Sequence, residues 1–267
     1  MFVKSLKENT ECIKPLLTGK VFYKNRQLYN YINTLIVLND EGDILTSASV
    51  ANLFFLCDEI SEIFPPIINQ LDSVNRKKLK KLENQHGIKN DTLIAIHNIL
   101  VDIANNPGKL NIIKHDYLDM AIIKLEKPKE ILVTTFPVFK NSKNEIGTSV
   151  VSFGHAFPEY ETFYFDNEEK IIKTSNAVMN FPLFPLEGLI TRYVADKNGS
   201  VTMFETSMPS IPGHSGAPVL NIDGEIIGMM VEFKSPPSNL NINLGLAIDG
   251  QSIIKFLDEH DIKYNKR

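Results

Sequence analysis

The chain has 267 residues, a net charge of -4 from 28 Lys+Arg against 32 Asp+Glu, and 43% hydrophobic and 22% charged residues. These fractions exclude a wholly disordered chain, and the slight negative charge removes any global electrostatic reason to bind nucleic acid or an anionic membrane. Length alone gives roughly 1.8 domains at ~150 residues each, and the two cysteines, Cys12 and Cys57, make no disulfide framework and suit a reducing compartment.

The first residues, MFVKSLKENTECIKPLL, hold Glu8 and Glu11 and lack an apolar stretch of signal-peptide length. No apolar run approaches the ~20 residues of a membrane span. A cytoplasmic protein with no membrane partner is therefore expected. Residues 31–48 place two β-rich runs around Asn39-Asp40-Glu41-Gly42, whose turn chemistry predicts a hairpin. Residues 50–85 turn to helical spacing, with Leu71, Val74, Leu79 and Leu82 on one face. Pro65-Pro66 is expected to separate two helical pieces, and the whole reads as an insert at about 51–86. The basic run RKKLKK (76–81) reads as a solvated helix face with leucines turned inward, since no aromatic residue for base stacking lies within it.

From Asp91 to Leu125 the pattern is strand-like, although a helix competes over 92–104. The charged, proline-containing EKPKE (126–130) is the expected domain boundary, dividing 1–127 from 128–267. Short runs then follow at regular spacing: ILVTTF, TSVVSFG, ETFYFD, KIIKTSNAVMN, LITRYVAD and SVTMFETS. After them come the loop PSIPGHSGAP, a hairpin around Asp223-Gly224, the strand LGLAI and a closing helix with Ile253, Ile254 and Leu257 on one face. Many short strands with turn residues between them predict an all-β fold of barrels or a sandwich.

The most informative segment is Pro212-Gly213-His214-Ser215-Gly216-Ala217-Pro218. Its glycines allow a sharp turn that exposes backbone N–H groups, and two such groups aimed at one point can stabilise an oxyanion. No His/Cys/Asp/Glu spacing of a metal site is present, so neither metal nor cofactor is expected.

PGHSGAPVLNIDGEIIGMM resembles the nucleophile region of trypsin-like serine peptidases, closest to their bacterial Do-like (HtrA) branch. LIVLNDEGDILTSASV, YLDMAIIKL, VVSFGHAFPE and NLGLAIDGQSIIKFLDEH resemble further segments of that family, in the family's order. The resemblance implies a chymotrypsin-type fold: two Greek-key six-stranded β-barrels with the site in the cleft between them, a helical insert in the first barrel and a C-terminal helix. It implies that Ser215 is the nucleophile, that Asp119 is the acid orienting the base, and that the N–H groups of Gly213 and Ser215 form the oxyanion hole. The base histidine should stand where this chain has Ser49. A hydroxyl accepts a proton poorly near neutral pH, whereas imidazole titrates near 6.5. His86, His97, His115, His155, His214 and His260 are weak substitutes by position.

By position in the family, the substrate pocket would involve Pro209 and Ser210 at its floor, with walls from Val231, Glu232 and Phe233 and from the strand around Gly245. No Asp stands at its base, so no Arg/Lys preference is implied, and small apolar side chains are the expected fit. The chain is thus expected to be a peptidase homologue, impaired or inactive as written, that binds a peptide or protein in its cleft. The alternatives are an active serine endopeptidase, working through an unorthodox base or with its base exchanged for serine, and an adaptor acting through the helical insert.

Overall fold

The computed structural model describes residues 2–156, 163–174, 181–231 and 244–267. In chain order its elements are α1 (Val3–Asn9), β1 (Ile13–Phe22), β2 (Leu28–Val37), β3 (Ile44–Thr46), α2 (Ala48–Asp72), α3 (Arg76–Gln85), β4 (Leu93–Leu100), β5 (Ala104–Asn105), β6 (Lys109–Lys114) and β7 (Ala121–Glu126). There follow β8 (Glu130–Ile131), β9 (Val138–Phe139), β10 (Ser149–His155), β11 (Phe163–Asp166), β12 (Ile171–Thr174), β13 (Leu183–Ala195), β14 (Val201–Pro209), β15 (Pro218–Leu220), β16 (Ile226–Val231), β17 (Leu244–Asp249), α4 (Gly250–Glu259) and β18 (Asn265–Lys266).

The fold is mostly β and consistent with a chymotrypsin-like double barrel. The first sheet has six strands in the order β4-β1-β2-β3-β7-β6, so β4 returns to lie beside β1 in Greek-key fashion. The second sheet has eight strands in the order β15-β10-β13-β14-β17-β16-β9-β18. Six of these close a ring, because β15 pairs with both β10 and β16. The predicted hairpin at 31–48 is present, with Ile36 facing Leu45 and Val37 facing Ile44. The ambiguous 92–104 segment resolves as the edge strand β4.

Strands buried on both faces carry the packing. Buried side chains of the first sheet, such as Leu16, Leu35, Ile44 and Ile122, share one core with Phe139, Phe153, Leu220 and Met229 of the second. The last helix adds Ile253, Phe256 and Leu257 to the same core. Each such side chain contributes about 1.5–3 kcal/mol by leaving water, which ties the two sheets together along the cleft.

The insert departs from expectation. α2 runs unbroken through Pro65 and Pro66, and the break falls at Ser73–Asn75 instead. An interior proline costs a helix about 3 kcal/mol. Burial of Ile60, Ile68 and Leu71 offsets that cost. Leu79 and Leu82 of α3 turn inward against the same cluster, as predicted for the basic run. ILVTTF is mostly irregular, holding only the end of β8, and β11–β12 form a separate hairpin rather than barrel strands. That hairpin leans on the first barrel through Phe163 and Ile172 and through Lys170, whose ammonium lies 2.9 Å from Asp72.

Candidate active site

The loop before β15 is shaped by two glycines in the left-handed region, Gly213 at φ 99 and Gly216 at φ 85. A Cβ on Gly213 would stand 1.9 Å from the His155 carbonyl oxygen, and one on Gly216 would stand 2.2 Å from the Thr34 carbonyl oxygen. Only glycine fits both the dihedral and the space. Within the turn, His214 N–H donates to the Ile211 carbonyl (3.3 Å), Ala217 N–H to that of His214 (2.9 Å) and Gly216 N–H to that of Met230 (2.9 Å). The N–H groups of Gly213 and Ser215 have no hydrogen-bond partner among the described residues. They are the two donors that the resemblance singled out.

Thr34 straps this loop to the first barrel. Its N–H donates to the Ser215 carbonyl (3.2 Å), and its hydroxyl donates to the Gly213 carbonyl (2.7 Å). The same hydroxyl accepts from His155 N–H (2.9 Å). Thr46 Oγ1 donates in turn to the Thr34 carbonyl (3.0 Å). The sequence reading missed Thr34, because a threonine inside a strand carries no motif.

The second part of the site is the start of α2. Ser47 caps the helix, its Oγ accepting from Val50 N–H at 3.3 Å. Ser49, the second residue of the helix, is exposed and donates twice to Asp119: its N–H to Oδ1 at 2.7 Å and its Oγ to Oδ2 at 3.1 Å. A carboxylate at a helix N-terminus is favoured by the unpaired N–H groups and the helix dipole. Asp119 is delivered by the β6–β7 loop. His115 folds that loop, its Nδ1 accepting the N–H groups of Tyr117 (3.3 Å) and Leu118 (3.2 Å).

Ser49 and Ser215 line one cavity of about 400 Å³, together with Lys20, Tyr31, Ile32, Asn33, Leu53 and the Ser210–Gly213 segment. Ser210 of the expected pocket floor is therefore on its wall. Pro209 is not, and it ends β14 opposite Leu244. Val231 is buried opposite Leu246, and Gly245 packs so tightly that an added Cβ would lie 2.6 Å from the end of Met230. Glu232 and Phe233 lie outside the described residues. The wall supplied by β1 and β2 was not foreseen. Its Lys20, Tyr31 and Asn33 carry no sequence motif.

No histidine lines this cavity among the described residues. His214 and His155 are buried behind the loop, and burial pushes each imidazole down to about 4. His214 Nδ1 faces Ser152 Oγ at 3.4 Å rather than Ser215. His115 is engaged in its own loop, His97 packs edge-on to Phe163, and His86 and His260 close the ends of α3 and α4.

A model of the trypsin-like peptidase domain matches residues 34–229. The chain belongs to the trypsin-like peptidase family. The matched span of this trypsin-like peptidase homologue begins at Thr34 and takes in Ser49, Asp119 and Ser215. No curated protein matches the chain. Among the described residues no helix is long and apolar enough to cross a membrane, and no group of three or more His, Cys, Asp or Glu side chains is placed to hold a metal ion.

Proposed function

We propose that this trypsin-like peptidase homologue binds peptide in the cavity between its sheets and is impaired in hydrolysis because its general-base position holds Ser49. In this reading Ser215 is the nucleophile, and the free N–H groups of Gly213 and Ser215 form the oxyanion hole. Asp119 is the acid that would orient a base. The observation that carries the reading is the pairing at α2: Asp119 spends both oxygens on Ser49, and among the described residues no imidazole lines the cavity that Ser215 enters.

The chemistry follows from the groups present. Attack by Ser215 Oγ on a carbonyl requires its proton to leave, and the departing amine must later receive one. Ser49 can donate its hydroxyl hydrogen to Asp119, but it does not take up a proton at neutral pH. Losing the base of a comparable triad costs a factor of about 10⁶ in kcat. The oxyanion donors and the cleft retain about 10³–10⁴ over water, which suits binding better than turnover.

The test compares peptide hydrolysis by the native chain, Ser215→Ala and Ser49→His. Native turnover should be near the Ser215→Ala background, with Ser49→His well above both. Native turnover that depends on Ser215 and is not raised by Ser49→His would overturn the proposal.

A further inference from the structure

Among the described residues that line the cavity shared by Ser49 and Ser215, Lys20 alone carries a charge. It sits on β1, and its ammonium lies over the face of Tyr31, 4.8 Å from the ring centroid. Tyr31 also lines the cavity and is exposed. The two residues are diagonal neighbours across β1 and β2, since Thr18 faces Tyr31 and Lys20 faces Tyr29. That geometry fixes the long lysine stem along the wall and keeps its charged end beside the aromatic face.

Lys20 has no ion-pair partner among the described residues. The other well-placed cations do: Arg26 and Lys170 meet Asp72, Lys173 meets Asp166 and Glu169, and Arg192 meets Glu205. Burial lowers the pKa of the Lys20 amine, with no carboxylate offsetting it. In a chain with a net charge of -4, a half-buried cation with no counter-ion among the described residues of the cleft is costly to maintain. A ligand anion would relieve that cost and gain a charge-assisted hydrogen bond in partly excluded solvent.

We infer that Lys20 is a specificity residue of the cleft, selecting peptides that place an Asp or Glu side chain against the β1–β2 wall. The inference rests on the peptide-binding reading of the cavity and adds to it the substrate class: acidic peptides. The Tyr31 ring would pack the methylene stem of that acidic residue while Lys20 takes the carboxylate.

The experiment measures binding of fluorescent peptide pools in which one position at a time is Glu or Gln, against the native chain, Lys20→Met and Lys20→Arg. At one peptide position Glu should bind at least about tenfold more tightly than Gln. That preference should shrink as salt is raised, vanish in Lys20→Met and survive in Lys20→Arg. Peptides that bind without any Glu/Gln preference, or with one that persists in Lys20→Met, overturn the role of Lys20 and leave the peptide-binding reading standing. Absence of binding by any pool overturns that reading and this inference with it.

Discussion

The two halves of the candidate site are held in different ways. The Gly213–Gly216 loop is defended by packing: two left-handed glycines press against backbone oxygens of β2 and β10, and Thr34 grips two of the loop's carbonyls. The corner at Ser49 is held by hydrogen bonds, to Asp119 and between its Oγ and Ser47 Oγ (3.0 Å), and its side chain faces solvent. A serine near a helix start is comfortable whatever the chemistry, since it satisfies a nearby acceptor and clashes with nothing. On the proposed function, a change at position 49 should alter the chemistry and spare the fold, whereas a change in the loop should strike the fold first.

Predictions can break that contrast. The largest effect belongs to Ser49→His, which restores up to about 10⁶ in kcat, the worth of the base in a comparable triad, while its unfolding midpoint stays close to native. A gain in activity accompanied by severe destabilisation would erase the distinction between the two regions. Next comes Gly216→Ala, which forces an L side chain to positive φ against the Thr34 carbonyl. It should cost at least about 3 kcal/mol in urea unfolding; native stability in this variant would contradict the packing account.

The smallest effect per residue is a pH dependence centred behind the loop. His155 and His214 are buried, and their folded pKa of about 4 lies below the usual 6.5. The unfolded chain therefore binds more protons than the folded one between these values, so stability falls as pH drops through that window. The loss should reach about 2 kcal/mol for each histidine between pH 7 and pH 5, with both imidazoles still neutral by NMR at pH 6. Flat stability across that range, or imidazoles already protonated at pH 6, would remove the buried pair from the account.

Much of this was legible in the sequence. β-rich runs and turn residues marked most strands, and Gly213 and Gly216 announced a turn that the structure places in the left-handed region. Ser49 and Asp119 were expected together and are hydrogen-bonded. Three features were not legible, for physical reasons. The prolines of α2 read as a break because local propensity opposes them, and burial of Ile60, Ile68 and Leu71 overrides it. Thr34 and Lys20 act through strand register, which places residues distant in sequence against one loop or one cavity without a motif. ILVTTF has the composition of a strand, yet only β8 at its start finds a partner, β5.

The central claim is that Ser215 sits in a built cleft without a base to activate it. Its most direct measurement is the rate at which a fluorophosphonate labels Ser215 in the native chain, with Ser215→Ala as the background and Ser49→His as the reference. The account predicts native labelling near background and fast labelling in Ser49→His. Rapid labelling of Ser215 in the native chain, equal to that of Ser49→His, would contradict it.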